Sequence, residues 1–227
     1  MIKIRGLNKS FGKKQVLYDL NLEIGGGRII GLVGPNGSGK TTLLKILGGF
    51  DQLFTGDIEI IGEPIGIKTK NYTSYLPDRP SLSTWMTARQ CLIQYDNFFP
   101  DFNLNKAEKM LEHFKLSPTQ VLNTMSKAMP EKLQIVLTMS REAKVYLLDE
   151  PISGVDPAAR KIILQSILQN FTEDSLMIIS THLLDDIETI IDEVIFLENG
   201  RVKFYELADN LRGLEGKSLS RIFEEAY

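Results

Sequence analysis

The sequence predicts an α/β protein: a mixed sheet with flanking helices, an N-terminal antiparallel β subdomain and an inserted α-helical subdomain. Three observations predict it. A glycine-rich segment, G-x-x-x-x-G-K-T at 34–41, lies between a strand-like apolar run and a helix-like segment. Alternating apolar and polar residues dominate the first third of the chain. Helical periodicity then takes over from about residue 83 to residue 142 before strand patterns return.

Length and composition are those of one ordinary globular domain. The chain has 227 residues, of which 43% are hydrophobic and 24% charged. A net charge of -3 gives no reason to expect a nucleic-acid partner. The single cysteine, Cys91, excludes an internal disulfide and suits a reducing compartment. No apolar run is long enough to cross a bilayer, and the N-terminal residues lack the apolar core of a signal peptide.

The first third is expected to contain strands around a single helix. Ile2, Ile4 and Leu7 alternate loosely with polar residues and predict an edge strand. A second alternation predicts a strand that ends at three consecutive glycines. The expected elements in order are the edge strand, a strand at 16–24, a buried strand at 28–33, a helix at 41–47 and a strand at 57–61.

The middle of the chain is expected to be helical. Apolar residues at 107, 110, 111 and 114 follow the spacing of an amphipathic helix. Ser117-Pro118 has the pattern of an N-cap followed by the first helical residue. A further apolar stripe, at 129, 133, 136 and 137, predicts a helix that starts near Ser126.

The last third alternates between strands and helices. The expected elements are a buried strand at 144–148, a helix at 158–170, a strand at 176–180, a helix at 183–191, a hairpin around Asn199-Gly200 and a short helical tail at 206–227. The whole chain is therefore treated as one domain, in which residues 1–82 and 143–205 form the core with its β subdomain and residues 83–142 form the helical subdomain.

The glycine-rich segment has the chemistry of a loop that binds nucleotide phosphates. Backbone N–H groups of the loop and of the following helix converge on the β-phosphate. Glycines at 34, 37 and 39 permit backbone angles and a close approach that a Cβ would block. Lys40 supplies positive charge to the β- and γ-phosphates, and the Thr41 hydroxyl can bind Mg²⁺. The expected nucleotide contacts are Gly34, Pro35, Asn36, Gly37, Ser38, Gly39, Lys40, Thr41 and Thr42.

A second motif supplies carboxylates. The apolar run that begins at Lys144 ends in Asp149 and Glu150. Mg²⁺ bound to phosphates needs a carboxylate, and Asp149 at the end of the strand fits that role. Glu150 can polarise the water that attacks the γ-phosphate.

With these two motifs, the chain resembles the ATP-binding subunit of an ABC (ATP-binding cassette) transporter along nearly its whole length. Ser153-Gly154-Val155-Asp156 resembles the D-loop of that family, and Ser180-Thr181-His182 its switch histidine. Phe11 is where the family has an aromatic residue that stacks on adenine. Met125 to Met129 occupies the place of the signature motif, in a form similar to a bacterial branch with separately encoded permeases.

The resemblance implies a Mg²⁺-dependent ATPase that works as a head-to-tail dimer. Each ATP would lie between the phosphate loop of one subunit and the signature motif of the other. Ser126 and Ala128 would then face the partner's γ-phosphate, His182 would contact the γ-phosphate of its own site, and Asp156 would link the two sites. The implied partners are a second ATPase subunit, identical or different, and an integral-membrane permease. The implied location is the inner face of the cell membrane, with export as the expected direction.

Three residues depart from the family pattern. Ala128 replaces the second glycine of the signature motif, and Pro130 follows early in the same helix, where its ring competes with the carbonyl of Ser126. Asp78 lies where the family usually has a glutamine. Its carboxylate can still bind Mg²⁺ but adds negative charge beside the phosphates. These departures predict a competent phosphate loop and a weak signature side, although a small backbone shift could also accommodate the alanine.

Several alternatives stay open at the level of sequence. The chain could be an ABC-type ATPase outside transport, or a regulatory module that binds ATP and hydrolyses it poorly. Ser126 is also a good N-cap, and Phe11 could be a core residue. Five aromatic residues between 83 and 102 could line a permease groove or fill the core of the helical subdomain: Trp85, Tyr95, Phe98, Phe99 and Phe102.

Overall fold

Two sheets of different construction lie on either side of the helix that follows the glycine-rich loop. The computed structural model describes residues 1–153, 155–215 and 218–225. The first sheet is antiparallel and has the strand order β2-β1-β4-β5. Its strands are β1 (Ile2–Phe11), β2 (Lys14–Ile24), β4 (Thr55–Ile60) and β5 (Glu63–Pro64).

The second sheet is mixed and carries the site at the carboxyl ends of its parallel strands. Its order is β10-β9-β3-β8-β7-β6, and all neighbouring pairs are parallel except the β9–β10 hairpin. Its strands are β3 (Arg28–Val33), β6 (Thr73–Leu76), β7 (Val145–Asp149), β8 (Leu176–Thr181), β9 (Glu193–Glu198) and β10 (Arg201–Leu207).

The described helices divide between the two faces of the mixed sheet. Leu43, Leu44 and Leu47 of α1 (Lys40–Leu47) pack between the two sheets, where they share one core with both. A second core covers the opposite face of the mixed sheet. The remaining helices are α2 (Ile67–Lys70), α3 (Ala88–Phe98), α4 (Leu104–His113), α5 (Ala128–Met139), α6 (Pro157–Asn170), α7 (Leu184–Ile187), α8 (Ala208–Glu215) and α9 (Leu219–Glu225), with a 3-10 turn at Leu122–Thr124.

The predicted fold class is confirmed, but the position of β1 is not. The sequence predicts an edge strand, whereas β1 pairs with β2 on one side and with β4 on the other. Alternation reports only that one face of a strand is buried, and an inner strand of an antiparallel sheet has that property too. The pairings Ile2↔Ile60 and Ile4↔Ile58 bury the apolar side chains of β1.

The prediction of a helix that begins at Ser117-Pro118 is wrong. The segment instead runs beside the first turn of α3, and the carbonyls of Pro118 and Gln120 accept hydrogen bonds from Arg89 and Ala88. The first N–H groups of a helix lack partners inside the helix, so this segment satisfies two of them. The Ser117 hydroxyl contacts the Thr119 hydroxyl at 3.2 Å, and Leu122–Thr124 forms only a 3-10 turn.

Two other helices differ from expectation at their ends. The helix predicted at 183–191 is reduced to α7, because Asp192 pairs with Ile29 through its backbone N–H and its carboxylate and so leads the chain into β9. Helix α5 begins at Ala128 with Lys127 as its N-cap, so Ser126 is not the cap. The Ser126 carbonyl accepts a hydrogen bond from the Met129 N–H at 3.0 Å, although Pro130 supplies no N–H to it. In the tail, residues 216–217 and 226–227 lie outside the described residues, and so does Gly154 in the 153–156 motif.

The end of α5 is tied to the mixed sheet by one buried arginine. Arg141 is 3% exposed and forms a two-atom ion pair with Asp101. Its guanidinium also donates to the Thr73 carbonyl at the start of β6 and stacks on the ring of Phe99. Because the planar group makes several bonds at fixed angles, it sets how the helices before β7 sit against that sheet.

Candidate nucleotide site

The glycine-rich loop leaves β3 and enters α1 with three residues in the left-handed region. The φ angles are 149° at Gly34, 82° at Gly37 and 107° at Gly39. A Cβ on Gly34 would lie 2.0 Å from the Leu197 carbonyl oxygen, and one on Gly39 would lie 2.6 Å from Leu17 Cδ2. A Cβ on Gly37 would meet nothing within 4 Å. The first and third glycines thus pack the loop against the sheets, and the second faces open space where a phosphate can approach.

Lys40 is held under the loop by the loop itself. Its ammonium donates to the carbonyls of Gly34 at 2.6 Å and Pro35 at 3.1 Å. Burial lowers the pKa of Lys40, while the nearby carboxylates of Glu150 and Asp149 oppose that shift. Only 7% of the residue is exposed, so its charge is held largely out of water. The phosphates of a nucleotide bound by the loop would neutralise this charge.

A buried hydroxyl in the same loop fits an anionic ligand. Ser38 is 3% exposed, and its Oγ has no hydrogen-bond partner among the described residues. An unsatisfied buried hydroxyl is costly, and a phosphate oxygen would accept its hydrogen bond. The orphaned hydroxyl, the free space at Gly37 and the buried ammonium together fit a nucleotide phosphate chain.

Asp149 ends β7 beneath the first turn of α1. It is fully buried and accepts hydrogen bonds from Thr41 Oγ1 at 3.1 Å, Ser180 Oγ at 2.6 Å and, more weakly, Tyr75 OH at 3.5 Å. Burial raises the pKa of Asp149, and the bonds from Ser180 and Thr41 act in the opposite direction. A hydroxyl and a carboxylate 3.1 Å apart are oxygen donors of the kind that Mg²⁺ prefers.

Glu150 leaves the strand in a strained backbone conformation and contacts the histidine. Its φ is 51°, which is uncommon for a residue other than glycine, asparagine or aspartate. Its carboxylate Oε2 lies 2.9 Å from His182 Nδ1, at the end of the neighbouring strand β8. The Glu150 side chain is 16% exposed and that of His182 is 45% exposed, so the pair faces the open end of the sheet.

These groups surround a cleft of about 650 Å³ at the carboxyl ends of β3 and β7. Of the residues predicted from sequence, it brings together Asn36, Gly37, Gly39, Lys40, Thr41, Thr42, Asp78 and Glu150. Gly34, Pro35 and His182 line a neighbouring cleft of about 270 Å³ together with Asn36. Asp78 is exposed at the rim of the larger cleft, so its carboxylate is free to approach a bound cation.

Six residues of the cleft are missed by sequence reasoning. Lys14, Gln15, Val16 and Tyr18 come from β2, and Asn199 and Gly200 from the β9–β10 turn. The two segments meet because the Tyr18 N–H donates to the Gly200 carbonyl, and a Cβ on Gly200 would lie 2.0 Å from the Val16 carbonyl oxygen. The turn was predicted from Asn199-Gly200, and its φ angles of 48° and 72° agree, but nothing local signals its contact with β2.

Four other predicted residues lie away from the glycine-rich loop and the cleft of their own chain. Phe11 is 54% exposed at the end of β1, and the ammonium of Lys9 lies 4.5 Å from its ring centroid. Ser126 is exposed and Ala128 is half-buried at the start of α5. Asp156 is the N-cap of α6, where its Oδ1 accepts from the Ala159 N–H at 3.0 Å.

Comparison with known proteins gives the family. The model of the ABC transporter family matches residues 17–153. The chain belongs to this family. The ABC transporter ATP-binding protein YtrB of Bacillus subtilis is 31% identical over 208 residues, which cover 88% of this chain and 69% of YtrB. The Nod factor export ATP-binding protein I of Rhizobium sp. strain N33 is 28% identical over 209 residues, covering 88% of this chain and 68% of that protein.

Solved structures of ABC ATPases have the same fold. An ATP-binding subunit of an ABC transporter superimposes with a TM-score of 0.88 at 28% identity, covering 99% of this chain and 98% of the other. The cassette MJ0796, described as a dimer in a post-hydrolysis state with ADP and Pi, gives 0.81 at 20% identity, with coverage of 92% and 99%. The chain is thus an ATP-binding ATPase of the ABC type. None of the helices in the described ranges combines the length and apolar character needed to cross a membrane.

Proposed function

We propose that this ABC ATPase powers a membrane exporter, with Mg²⁺ as its cofactor and two ATPase subunits forming the active unit. The observation that carries the proposal is the contact between Glu150 and His182 beside the Lys40 loop. This contact supports a role for Glu150 as a proton acceptor and for His182 as its polar partner beside a bound γ-phosphate.

Each residue of the site has a distinct task in hydrolysis. The loop N–H groups and Lys40 hold the β- and γ-phosphates and stabilise the negative charge that develops on them. Glu150 orients or deprotonates the attacking water, and His182 contacts the γ-phosphate while it holds the Glu150 carboxylate. Thr41, Asp149 and Asp78 are the oxygen donors for Mg²⁺, which would neutralise charge on the phosphates. Water attacks the γ-phosphate directly, without a covalent intermediate.

The positions of the remaining predicted residues support a dimer. Ser126, Ala128 and Asp156 lie outside the cleft of their own chain, as residues that act on a partner's nucleotide must. Phe11 keeps more than half of its surface exposed and available for adenine. The cassette MJ0796 is described as a dimer, which supports a pair of ATPase subunits here, formed from two copies of this chain or from this chain and a second subunit.

Exposed aromatic residues support docking on an integral-membrane permease. Trp85 is 70% exposed and Phe98 is 71% exposed, whereas Tyr95, Phe99 and Phe102 belong to the core of the helical part. An exposed apolar patch that includes these side chains would be a suitable surface for another protein. Such docking would hold the ATPase at the inner face of the cell membrane. The Nod factor export protein, a relative, supports export as the direction.

The second candidate is a regulatory subunit that binds ATP and hydrolyses it poorly. Ala128 favours it, because this first residue of α5 adds a methyl group at the position that would face the partner's γ-phosphate. The complete Glu150–His182 pair favours hydrolysis.

Glu150→Gln tests the proposed function. The variant keeps the shape of the side chain but removes the proton acceptor, so we expect ATP affinity to be retained. ATP turnover should fall by at least about a hundredfold. A dimer trapped with ATP should appear in light scattering after gel filtration. Glu108→Gln, on the exposed side of α4, is the matched control and should turn over ATP like the wild type.

Lys40→Ala provides the contrast to Glu150→Gln in the same experiment. Removal of the buried ammonium should abolish ATP binding, so the trapped dimer should not form either. Wild-type turnover in Glu150→Gln would contradict the proposal.

A further inference from the structure

Ser180 is a buried serine whose position is set by strand register. It is the second-last residue of β8, and in the parallel pairing of β7 with β8 it lies opposite Asp149. None of its surface is exposed. A buried polar side chain between two proposed functional carboxylates needs partners, and Ser180 has two of them.

One hydroxyl makes two hydrogen bonds of opposite sense. Ser180 Oγ donates to Asp149 Oδ1 at 2.6 Å and accepts from the Glu150 N–H at 3.1 Å. An ionised carboxylate only accepts and a backbone N–H only donates, so the direction of both bonds is fixed. The same N–H also lies 3.1 Å from the Ser180 carbonyl oxygen, which makes it a shared donor.

The bond to Glu150 acts on a strained residue. A φ of 51° at a glutamate costs about 1–2 kcal/mol, and such strain persists only where neighbouring contacts over-determine the conformation. The Glu150 N–H bonds to Ser180 on one side, and its carbonyl accepts from the Ser153 N–H at 3.1 Å on the other. This turn directs the Glu150 side chain toward His182.

We propose that Ser180 is a positioning residue that couples the metal-binding carboxylate to the water-activating carboxylate. Through one hydroxyl it fixes the orientation of Asp149 and the backbone turn of Glu150, so that both are correctly placed before nucleotide binds. The proposal rests on the roles of Asp149 and Glu150 in the proposed function. Thr41 and Tyr75 also contact Asp149, but Ser180 makes both the shortest of the three bonds to that carboxylate and a bond to Glu150.

Ser180→Ala tests the coupling, with Ser175→Ala as its control. Ser175 lies just before the same strand and is 1% exposed. Like the Ser180 hydroxyl, its hydroxyl makes one bond as donor and one as acceptor. It donates to the Thr172 carbonyl at 2.7 Å and accepts from the Thr172 N–H at 3.3 Å. The two variants therefore lose comparable buried hydrogen bonds, but only Ser180→Ala releases the two carboxylates.

Three readouts separate positioning from stability. We expect Ser180→Ala to bind ATP without metal as the wild type does, measured by fluorescence of a labelled analogue in EDTA. Mn²⁺ binding to the ADP-bound protein, measured by electron paramagnetic resonance, should weaken about tenfold, and kcat should fall about tenfold or more with little change in KM. Ser175→Ala should leave metal affinity and kcat unchanged.

Equal metal affinity and kcat in Ser180→Ala and Ser175→Ala would overturn the proposal. If thermal unfolding shows that Ser180→Ala is not folded, Ser180→Cys takes its place, because the thiol has a similar shape but is a weak donor. Its metal affinity and kcat should also fall, and wild-type values would overturn the proposal. Wild-type turnover in Glu150→Gln, by contrast, would overturn the proposed roles of the two carboxylates rather than the contact with Ser180.

Discussion

At the scale of single residues, the site is organised around charges held out of water. Lys40 and Asp149 are both at least nine-tenths buried. Burial lowers the pKa of Lys40 and raises the pKa of Asp149, and both shifts favour the neutral side chain. A nucleotide with its metal ion would supply the missing opposite charges. Burial of these two charges therefore has an electrostatic cost, and this cost can be measured.

Asp149→Asn should stabilise the protein when nucleotide and metal are absent. Because burial raises the folded-state pKa of Asp149, the ionised form destabilises the fold at pH 8, and the neutral amide avoids that cost. We expect a melting temperature about 2–4 °C higher in EDTA, which corresponds to ~1 kcal/mol for a chain of this size. The difference should shrink as the pH falls through the raised pKa, because Asp149 then becomes neutral as well.

Differential scanning calorimetry at pH 8 and at successively lower pH checks this expectation, with Asp174→Asn on the exposed surface as the control. The same variant should lose Mg²⁺-dependent hydrolysis. A melting temperature at pH 8 that is equal to or below that of the wild type would show that the hydrogen bonds to Asp149 already offset its burial.

At the scale of elements, local sequence patterns predict those parts of the site that come from one contiguous segment of the chain. The loop between β3 and α1 is confirmed, since its glycines, the apolar strand and the helix are contiguous in sequence. The helix expected at Ser117-Pro118 is wrong, because the segment bonds to the first turn of α3, which lies some thirty residues earlier. The contribution of β2 to the cleft depends on how the two sheets pack against each other, and the contacts of Ser180 with Asp149 and Glu150 depend on strand register. No local pattern encodes either of these.

Ala128→Gly tests whether the start of α5 weakens hydrolysis. If the Ala128 methyl group widens the space between two subunits, its removal should raise the ATPase rate severalfold, even though glycine in a helix costs up to about 1 kcal/mol. Steady-state turnover at saturating ATP measures the effect. Ala107→Gly, at a buried position of α4, also places a glycine in a helix and should not raise the rate. A rate equal to that of the wild type would mean that the alanine is accommodated by a small backbone shift.

At the scale of the whole molecule, the cleft and three other predicted site residues lie in different parts of the chain. The cleft holds the phosphate loop and Glu150, while Ser126, Ala128 and Asp156 lie outside it. This division is expected if two chains complete each other's sites. The proposed docking on a permease needs a further surface, for which Trp85 and Phe98 are the exposed candidates.

Trp85→Ala should weaken association with the permease and leave ATP binding unchanged. A tryptophan at the centre of an interface contributes a large share of its binding energy, so we expect at least about a tenfold loss of affinity. Co-purification with the permease in detergent and fluorescence titration with labelled ATP measure the two properties. Leu207→Ala removes another exposed apolar side chain, at the end of β10, and should change neither. Unchanged association in Trp85→Ala would assign the docking surface elsewhere.

The central claim is that ATP hydrolysis needs two of these sites facing each other, and its most direct test is the Mg²⁺-ATPase rate as a function of protein concentration. We expect the rate to rise faster than linearly at low concentration, and we expect added Glu150→Gln chain to change the turnover of each wild-type chain through mixed dimers. A rate strictly proportional to concentration, and unaffected by the variant, would show that one chain hydrolyses ATP alone and that no dimer is needed.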